Sequence, residues 1–477
     1  MSMPSESWSL TDLQEIVVRH WGYRALRPLQ DRAMQAVLDG RDSLVVMPTG
    51  GGKSLCYQAP AVLRGGTTVV ISPLIALMKD QVDSLRAVGI AAATIDSSLS
   101  AAERFSYEMD VRQGEIRLLF LSPERLVQTD FYRVLQQIDV RTFAIDEAHC
   151  ISHWGHDFRP EYRQMSRLRE FFPQAAVHAY TATATEQVRQ DIIAQLALKD
   201  PVVLVGKFDR PNLIYRILPR HEVLKQTLDV LERHEGEAGI IYCLRRRDVD
   251  ELAASLQKKH IKARAYHAGM SGDERQRAQE AFASEQADVI VATVAFGMGI
   301  DRSNVRFVLH TAMPKSLEHY QQETGRAGRD GLEAECVLLY SGGDMFSLRS
   351  MLEKSAKEAG NEAHLPGVLR HLDDMDRYCR GAMCRHSALV RYFGQTYEGD
   401  TCNACDVCLG DTESVPDATV VAQKILSCVA RVKERFGIGH VAAVLRGENT
   451  ENVRNRGHDK LTTFGLLERF AFGLRTV

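Results

Sequence analysis

A glycine-rich run between an apolar segment and a helical pattern most constrains the fold of this chain. Residues 47–54 read Met-Pro-Thr-Gly-Gly-Gly-Lys-Ser, and the apolar residues 43–46 before them predict a short buried strand. Residues 55–60 then predict the start of a helix. Backbone N–H groups of such a loop can surround phosphates, and the helix N-terminus adds the positive end of its dipole. This order of elements predicts a site for a nucleotide triphosphate.

The loop residues expected to bind the nucleotide are Thr49, Gly50, Gly51, Gly52, Lys53 and Ser54. The Lys53 ammonium suits the β- and γ-phosphates, and the Ser54 hydroxyl suits Mg²⁺. Met47 stands where the usual pattern has its first glycine, and a run of three glycines is also compatible with an ordinary flexible turn. The rest of the chain has to decide between these two interpretations.

Length and composition favour a soluble protein of several domains. The 477 residues predict about three domains, and 45% hydrophobic with 25% charged residues is typical of globular chains. A net charge of −3 gives no overall basic character, although a local groove can still be positive. The first eight residues do not read as a signal peptide, and no apolar run approaches the roughly 20 residues of a membrane span. We therefore expect a cytoplasmic protein without a membrane partner.

Short apolar runs alternate with helical patterns in two successive parts of the chain. The expected strands are 43–46, 67–71, 116–121, 142–145, 176–180 and 201–205 in the first part, and 213–217, 239–242, 263–266, 289–292, 307–310 and 335–340 in the second. This pattern predicts an α/β fold with two parallel-sheet lobes covered by helices. The expected boundaries are 1–207 and 208–342 for the lobes, 343–410 for a helical region and 411–477 for a last segment.

Two further groups of residues complete a phosphate-transfer site. Asp146 and Glu147 follow an expected strand, where Asp146 suits Mg²⁺ and Glu147 suits the attacking water. The alternative is that both carboxylates simply face solvent. In the second lobe, Arg326 and Arg329 are three residues apart and are expected on one face of a helix. Their guanidinium groups suit a γ-phosphate, so that nucleotide binding would close the two lobes.

The cysteines divide into scattered and clustered ones. Cysteines 56, 150, 243 and 336 lie singly in apolar surroundings, as core residues do. Cys402, Cys405 and Cys408 recur every three residues, which favours Zn²⁺ over disulfides in a reducing compartment. From spacing alone, Cys384 and Cys379 both remain candidates for the fourth ligand. A redox role is the alternative.

A polar segment with exposed aromatic residues follows the acidic pair. His153, Trp154, Phe158 and Arg159 lie within residues 151–160. Aromatic rings there can stack on bases, and Arg159 can contact phosphate. The alternative is a loop that packs on its own aromatic side chains.

Taken together, these motifs resemble the RecQ family of superfamily 2 DNA helicases. The resemblance rests on Asp-Glu-Ala-His at 146–149, Tyr-Thr-Ala-Thr-Ala at 180–184, and residues 291–301 and 322–329. Residues 22–30, 72–81, 122–125 and 208–212 support it. It extends from about residue 10 to residue 465 and implies two RecA-like lobes, a helical zinc-binding domain and a winged helix.

The resemblance also implies roles for individual residues. Tyr23, Arg27 and Gln30 would recognise adenine, and Asp301 would line the nucleotide from the second lobe. Arg329 would be the arginine finger, supported by Arg326 and Gln322. Cys384 would be the fourth zinc ligand. The aromatic segment would sense single-stranded DNA, and His149 and Thr183 would couple it to the ATP site.

The implied activity is ATP-dependent unwinding of DNA with 3′ to 5′ polarity, in repair and recombination. The expected partners are single-stranded and 3′-tailed duplex DNA, together with a single-strand-binding protein and repair proteins, for a nucleoid-associated monomer. Residues 411–477 resemble only part of a winged helix, since its recognition helix, its wing and a further helical domain are missing. The alternatives are a DNA-stimulated ATPase that unwinds weakly, a zinc-stabilised DNA-binding scaffold and an RNA helicase.

Overall fold

The computed structural model describes residues 8–95, 99, 101–128, 131–155, 157–294, 296, 302–358, 360, 362–411 and 417–468. The strands of its first lobe are β1 Ser43–Val46, β2 Thr67–Ile71, β3 Ala92–Ile95, β4 Leu118–Leu121, β5 Val140–Ile145, β6 Ala176–Thr181 and β7 Val202–Val205. They form one sheet in the order β3-β4-β2-β5-β6-β1-β7, and every neighbouring pair is parallel. Such a sheet needs helices on both faces.

Helices cover the first sheet. They are α1 Leu10–Trp21, α2 Gln30–Leu38, α3 Leu55–Arg64, α4 Ile75–Ala87, α5 Ala101–Arg112, α6 Pro123–Gln128, α7 Phe131–Leu135, α8 Leu168–Phe171 and α9 Glu186–Gln195. Successive side chains of a strand point to opposite faces of a sheet. Accordingly, Leu44 and Val46 pack in one buried apolar cluster and Val45 packs in another.

The second lobe repeats this plan. Its strands are β8 Leu213–Pro219, β9 Ala238–Tyr242, β10 Ala263–Tyr266, β11 Val289–Ala292, β12 Val305–His310 and β13 Ala334–Tyr340. They form a parallel sheet in the order β10-β11-β9-β12-β13-β8. Its helices are α10 Val223–Arg233, α11 Arg246–Gln257, α12 Gly272–Ala283 and α13 Leu317–Thr324.

The remaining described elements are helical. They are α14 Gly343–Glu358, α15 Leu365–Arg380, α16 Arg385–Tyr392 and α17 Asp406–Leu409, followed by α18 Ala418–Arg431, α19 Ile438–Leu445 and α20 Glu451–Asn455. Helices α15 and α16 share an apolar cluster with the second lobe, whereas α18 and α19 have a small cluster of their own. Among the described helices, none is long and apolar enough to cross a membrane.

The α/β fold with two parallel-sheet lobes is confirmed. Every strand expected from sequence is present, with its ends shifted by at most about two residues. Strand β3 was not expected, because its short sequence contains two alanines, which are depleted in strands. The four scattered cysteines are buried, as predicted for core residues: Cys56, Cys150, Cys243 and Cys336.

The connection between the lobes is held by the residues that follow α16. The Gln395 side chain donates to Gly206 O over 2.9 Å and accepts from Phe208 N over 3.1 Å. The rings of Phe208 and Phe393 are stacked with centroids 4.3 Å apart. The helical region is therefore attached to the connection between the lobes as well as to the second lobe.

Candidate ATP site, DNA-facing segment and zinc cluster

The glycine loop connects the end of β1 to the N-terminus of α3. Gly50 and Gly52 have φ values of 80° and 79°, in the left-handed region that favours glycine. A Cβ atom on Gly52 would lie 2.3 Å from Gln30 Nε2, so a larger residue there would have to displace the Gln30 amide. Lys53 Nζ donates to Met47 O over 3.0 Å, while the Met47 side chain packs in the apolar core. Met47 thus contributes its carbonyl to the contact with Lys53 and its side chain to the core beneath the loop.

The residues expected to recognise adenine lie beside this loop. Gln30 Nε2 donates to Gly52 O over 3.0 Å, and Gln30 Oε1 accepts from Arg27 N over 2.7 Å. The Arg27 guanidinium donates to Gly50 O. The Tyr23 side chain is 55% exposed. Arg27 and Gln30 therefore contact the backbone of the glycine loop, and their role toward adenine stays a prediction.

The acidic pair lies at the carboxyl end of β5. Asp146 Oδ1 accepts from Glu147 N over 3.0 Å, and Glu147 adopts a left-handed φ of 47°. His149 Nδ1 lies 3.3 Å from Glu147 Oε2 and 2.9 Å from Thr181 Oγ1. Thr181 Oγ1 in turn donates to Thr183 O over 3.2 Å. A chain of polar contacts therefore joins Glu147 to the 181–183 segment.

Burial and mutual charge set the pKa values of this site. Burial and the Glu147 carboxylate raise the pKa of Asp146 to about 7. Burial alone would raise the pKa of Glu147, but a hydrogen bond and charge from His149 outweigh it and lower that pKa. Burial also lowers the pKa of Lys53, although Glu147 and Asp146 partly offset this effect. A divalent cation at Asp146 would favour the ionised carboxylate there.

The helical placement of the two arginines was wrong. Helix α13 ends at Thr324, and both Arg326 and Arg329 lie in the turns that follow. Gly328 suits this turn, because its φ of 57° lies in the left-handed region that favours glycine and a Cβ atom there would lie 2.4 Å from Asn212 Nδ2. The arginines are therefore presented by a glycine-containing turn.

This turn lies against the glycine loop of the first lobe. A Cβ atom built on Gly50 would lie 3.4 Å from Arg329 Cγ, and one built on Gly325 would lie 3.3 Å from Thr49 Cβ. Arg326 is buried, and its Nε has no hydrogen-bond partner among the described residues. A buried guanidinium N–H without a partner fits an anion such as a phosphate. The two lobes together thus form a site that suits Mg²⁺ and ATP.

Residues between the lobes fix the arginine turn. The Arg210 guanidinium donates to Ala327 O over 3.0 Å and to Gly328 O over 2.8 Å. The contacts of Arg210 were missed by sequence reasoning, which used residues 208–212 only for the resemblance.

Gln322, on α13, lines a cavity of about 620 Å³ together with Glu147 and His149. Asp301, expected to line the nucleotide, lies outside the described residues.

The aromatic segment lies at the same cavity. The rings of His153 and Phe158 have centroids 4.1 Å apart, and His364 stacks on His153 with centroids 4.2 Å apart. Arg159 donates to Pro73 O over 3.3 Å. His153 and Phe158 therefore pack on each other and on His364, a residue that the sequence analysis did not single out.

Trp154, in the same segment, contacts helix α15. Its side chain is 38% exposed, and the Arg370 guanidinium carbon lies 4.9 Å from its ring centroid. His371 Nε2 lies 3.0 Å from Trp154 O. Both contacts come from α15, so the helical region holds the aromatic segment while the tryptophan ring stays accessible.

Four cysteine sulfurs form the cluster expected from the resemblance. The Sγ atoms of Cys384, Cys402, Cys405 and Cys408 all lie within 4.8 Å of one another. Cys379 is instead buried in the apolar cluster of the second lobe. Four convergent thiols fit the closed, tetrahedral site of a structural Zn²⁺.

The cysteine loop is bonded to the second lobe through its neighbours. Asp406 Oδ2 accepts from Ile217 N of β8 over 2.9 Å, and Asp406 Oδ1 accepts from Arg385 Nε over 2.8 Å. Tyr215 N donates to Ala404 O over 3.0 Å, and Tyr215 forms an isolated parallel bridge with Cys405. The cluster thus closes a loop that continues the edge of the second sheet.

Replacing Cys402 with serine is expected to reduce bound zinc from about one ion per chain to well below half, because a three-thiolate site is no longer closed. Metal analysis after dialysis measures the zinc content, and thermal unfolding should occur at a lower temperature. Cys379→Ala is the matched control and should retain zinc. Full zinc content in Cys402→Ser, or its loss in Cys379→Ala, would contradict the assignment.

Comparisons with known proteins agree with this arrangement. The family models that match are DEAD/DEAH box helicase over residues 27–192, helicase conserved C-terminal domain over 220–331, RecQ zinc-binding over 342–409 and RQC domain over 412–471. Together they follow the order of the two lobes, the cysteine region and the last helical segment.

Solved structures share the fold at low sequence identity. The Mycobacterium smegmatis helicase Lhr bound to ssDNA and AMP-PNP has a TM-score of 0.58 at 19% identity, over 80% of this chain and 58% of that one. The DEAD-box helicase Mss116 bound to ssRNA has a TM-score of 0.59 at 15% identity, over 92% of this chain and 90% of that one. These likenesses concern the architecture alone.

Sequence relatives are much closer. The ATP-dependent DNA helicase RecQ of Bacillus subtilis is 43% identical over 462 residues, which are 96% of this chain and 77% of the relative. The RecQ of Pasteurella multocida is 43% identical over 94% of this chain and 70% of the relative. The ATP-dependent helicase SGS1 of Saccharomyces cerevisiae is 37% identical over 94% of this chain but only 33% of its own length. With these matches and both lobes meeting at the glycine loop, the chain belongs to the RecQ family of ATP-dependent DNA helicases.

Proposed function

We propose that this chain couples ATP hydrolysis between its lobes to 3′ to 5′ movement on single-stranded DNA and to unwinding of 3′-tailed duplexes, in DNA repair and recombination. One observation carries the coupling: Arg329 of the second lobe lies against Gly50 of the first. A site shared by two lobes changes when they separate, so a reaction there can drive their relative movement.

The proposed roles in the ATP site follow from position and charge. Lys53 binds the β- and γ-phosphates, while Ser54 and Asp146 hold Mg²⁺. When bound, ATP would supply the phosphoryl group and Mg²⁺ would neutralise part of its charge. Glu147 orients the attacking water, because its carboxylate lies at the cavity and its pKa is lowered. Arg329 stabilises the charge of the transition state.

We propose that Gln322 and Arg326 assist Arg329 in hydrolysis, because both lie close to Glu147. Gln322 lines the cavity with Glu147, and the charge of Arg326 contributes to lowering the pKa of Glu147. Both side chains belong to the second lobe, so they lie close to Glu147 only while the lobes are closed. Closure is therefore proposed as the condition for hydrolysis.

For DNA, we propose the aromatic segment as the single-strand contact. The exposed Trp154 ring can stack on a base, and Arg159 can contact a phosphate. The segment follows Glu147 within about ten residues, and His149 contacts both Glu147 and Thr181. A displaced aromatic segment would thus shift His149 directly.

Unwinding of paired 3′- and 5′-tailed duplexes tests the proposal. The expected result is ATP-dependent strand separation of the 3′-tailed substrate and little of the 5′-tailed one. Preference for the 5′ tail would refute the polarity. Phosphate release stimulated by single strands, without separation of either duplex, would instead favour a translocating ATPase that unwinds weakly.

The same proposal covers the location, oligomeric state, domain boundaries and protein partners of the chain. We propose a cytoplasmic, nucleoid-associated monomer, divided into lobes 1–207 and 208–342, a zinc-binding domain 343–410 and a winged-helix region 411–477. Its proposed protein partners are a single-strand-binding protein and repair proteins. Sedimentation with and without DNA would measure the oligomeric state.

A further inference from the structure

A glutamine of α4 reaches the magnesium end of the glycine loop. Gln81 Nε2 donates to Ser54 Oγ over 2.9 Å. The two residues are 27 positions apart in the chain, since Gln81 lies on α4 and Ser54 directly precedes α3. The contact therefore exists only because α4 packs beside the N-terminus of α3.

The orientation of the Gln81 amide is fixed by two further contacts. Tyr57 OH donates to Gln81 Oε1 over 3.2 Å, and Gln58 Nε2 donates to the same oxygen over 2.8 Å. Both donors lie in the first turns of α3 and are buried. Because the amide oxygen accepts from these donors, the amide nitrogen faces Ser54.

This arrangement limits what the Ser54 hydroxyl can do. A serine hydroxyl has one hydrogen to donate and two lone pairs that accept. Gln81 occupies one lone pair and restrains the rotation of the oxygen, which leaves the other lone pair for a cation. Mg²⁺ demands near-ideal octahedral geometry, so a restrained oxygen ligand favours its binding.

We propose that Gln81 is a positioning residue that holds the Ser54 oxygen for Mg²⁺. The inference rests on the proposed ATP site but goes beyond it, because Gln81 acts through Ser54 and contacts neither phosphate nor metal. It predicts that Gln81 affects nucleotide binding only when Mg²⁺ is present.

Titration with a fluorescent, non-hydrolysable ATP analogue tests this prediction in the full chain. With Gln81→Ala, the Mg²⁺ concentration that gives half of the metal-dependent binding should rise about 3–10-fold, the size expected for one lost hydrogen bond. Affinity for the analogue in EDTA should stay within about twofold of the unsubstituted protein, since phosphate and base contacts are retained. Phosphate release should show the same shift in Mg²⁺ requirement.

Two further variants make the result specific. In a Ser54→Ala background, Gln81→Ala should cause no additional shift, because the restrained oxygen is gone. Ser84→Ala, at an exposed position of the same helix, removes no contact of Gln81 and should change the Mg²⁺ requirement less than twofold.

Other outcomes overturn the proposal. An equal loss of affinity with Mg²⁺ and in EDTA would show a general packing role for Gln81. The same shift in the Ser54→Ala background would show that Gln81 acts by another route. If Ser54→Ala itself left the Mg²⁺ requirement unchanged, the magnesium site would fail along with the inference. If Gln81→Ala kept the Mg²⁺ requirement of the unsubstituted protein while Ser54→Ala raised it, only the inference about Gln81 would be refuted.

Discussion

Replacing Arg329 with alanine is expected to lower DNA-stimulated ATP hydrolysis by about 10³–10⁵-fold, the range for an arginine that stabilises a phosphoryl-transfer transition state. Arg329 lies against Gly50, where the glycine loop would hold phosphates. Affinity for an ATP analogue should fall much less, because the loop and Lys53 remain intact. Phosphate release and analogue binding, measured side by side, separate the two effects.

Arg329→Lys should restore little activity, because an ammonium lacks the planar fork of a guanidinium. Arg247 offers a matched control on the second lobe, since its side chain is 82% exposed and pairs only with Glu251 among the described residues. Arg247→Ala should hydrolyse ATP normally. Nearly normal hydrolysis by Arg329→Ala would contradict the assigned role, as would an equal loss of nucleotide binding.

Replacing Glu147 with glutamine is expected to lower the rate of hydrolysis by about 10²–10⁴-fold, because an amide cannot accept a proton from water. The shape of the side chain is kept, so Mg²⁺-dependent nucleotide binding should persist. Single-turnover hydrolysis measures the chemical step directly. Strand separation should fall in the same proportion, since the proposed movement depends on hydrolysis.

Glu186 provides the control for this substitution. It is an exposed residue in the first turn of α9, in the same lobe as Glu147. Glu186→Gln should therefore retain hydrolysis and unwinding. Normal strand separation by Glu147→Gln would refute the placement of the water-activating group.

Local patterns in the sequence predicted the parts of the site that depend on neighbouring residues. The glycine loop follows β1 and the acidic pair follows β5, because apolar runs fix where buried strands end. Likewise, the spacing of Cys402, Cys405 and Cys408 keeps their sulfurs together in one short loop.

Contacts between distant segments could not be predicted in this way. Arg210 binds the carbonyl of Ala327 across 117 positions, and Gln81 reaches Ser54 from another helix. Such pairs depend on the order of strands and on helix packing, which no local pattern specifies. The turn that carries Arg326 and Arg329 was misjudged for a related reason, since Gly328 in this turn has a left-handed backbone and lies beside Asn212 of a distant segment.

The attachment of the helical region at two places limits how the lobes can move. The Gln395 side chain is hydrogen-bonded to Gly206 and Phe208 of the connection, while Arg370 contacts Trp154 on the first lobe. If the lobes rotate about Gly206 and Phe208, the helical region rotates with the second lobe. Its helix α15, which contacts Trp154, then moves relative to the first lobe. Opening the cleft then has to alter the cation–π contact of Trp154, so this ring registers the angle between the lobes even without a bound strand.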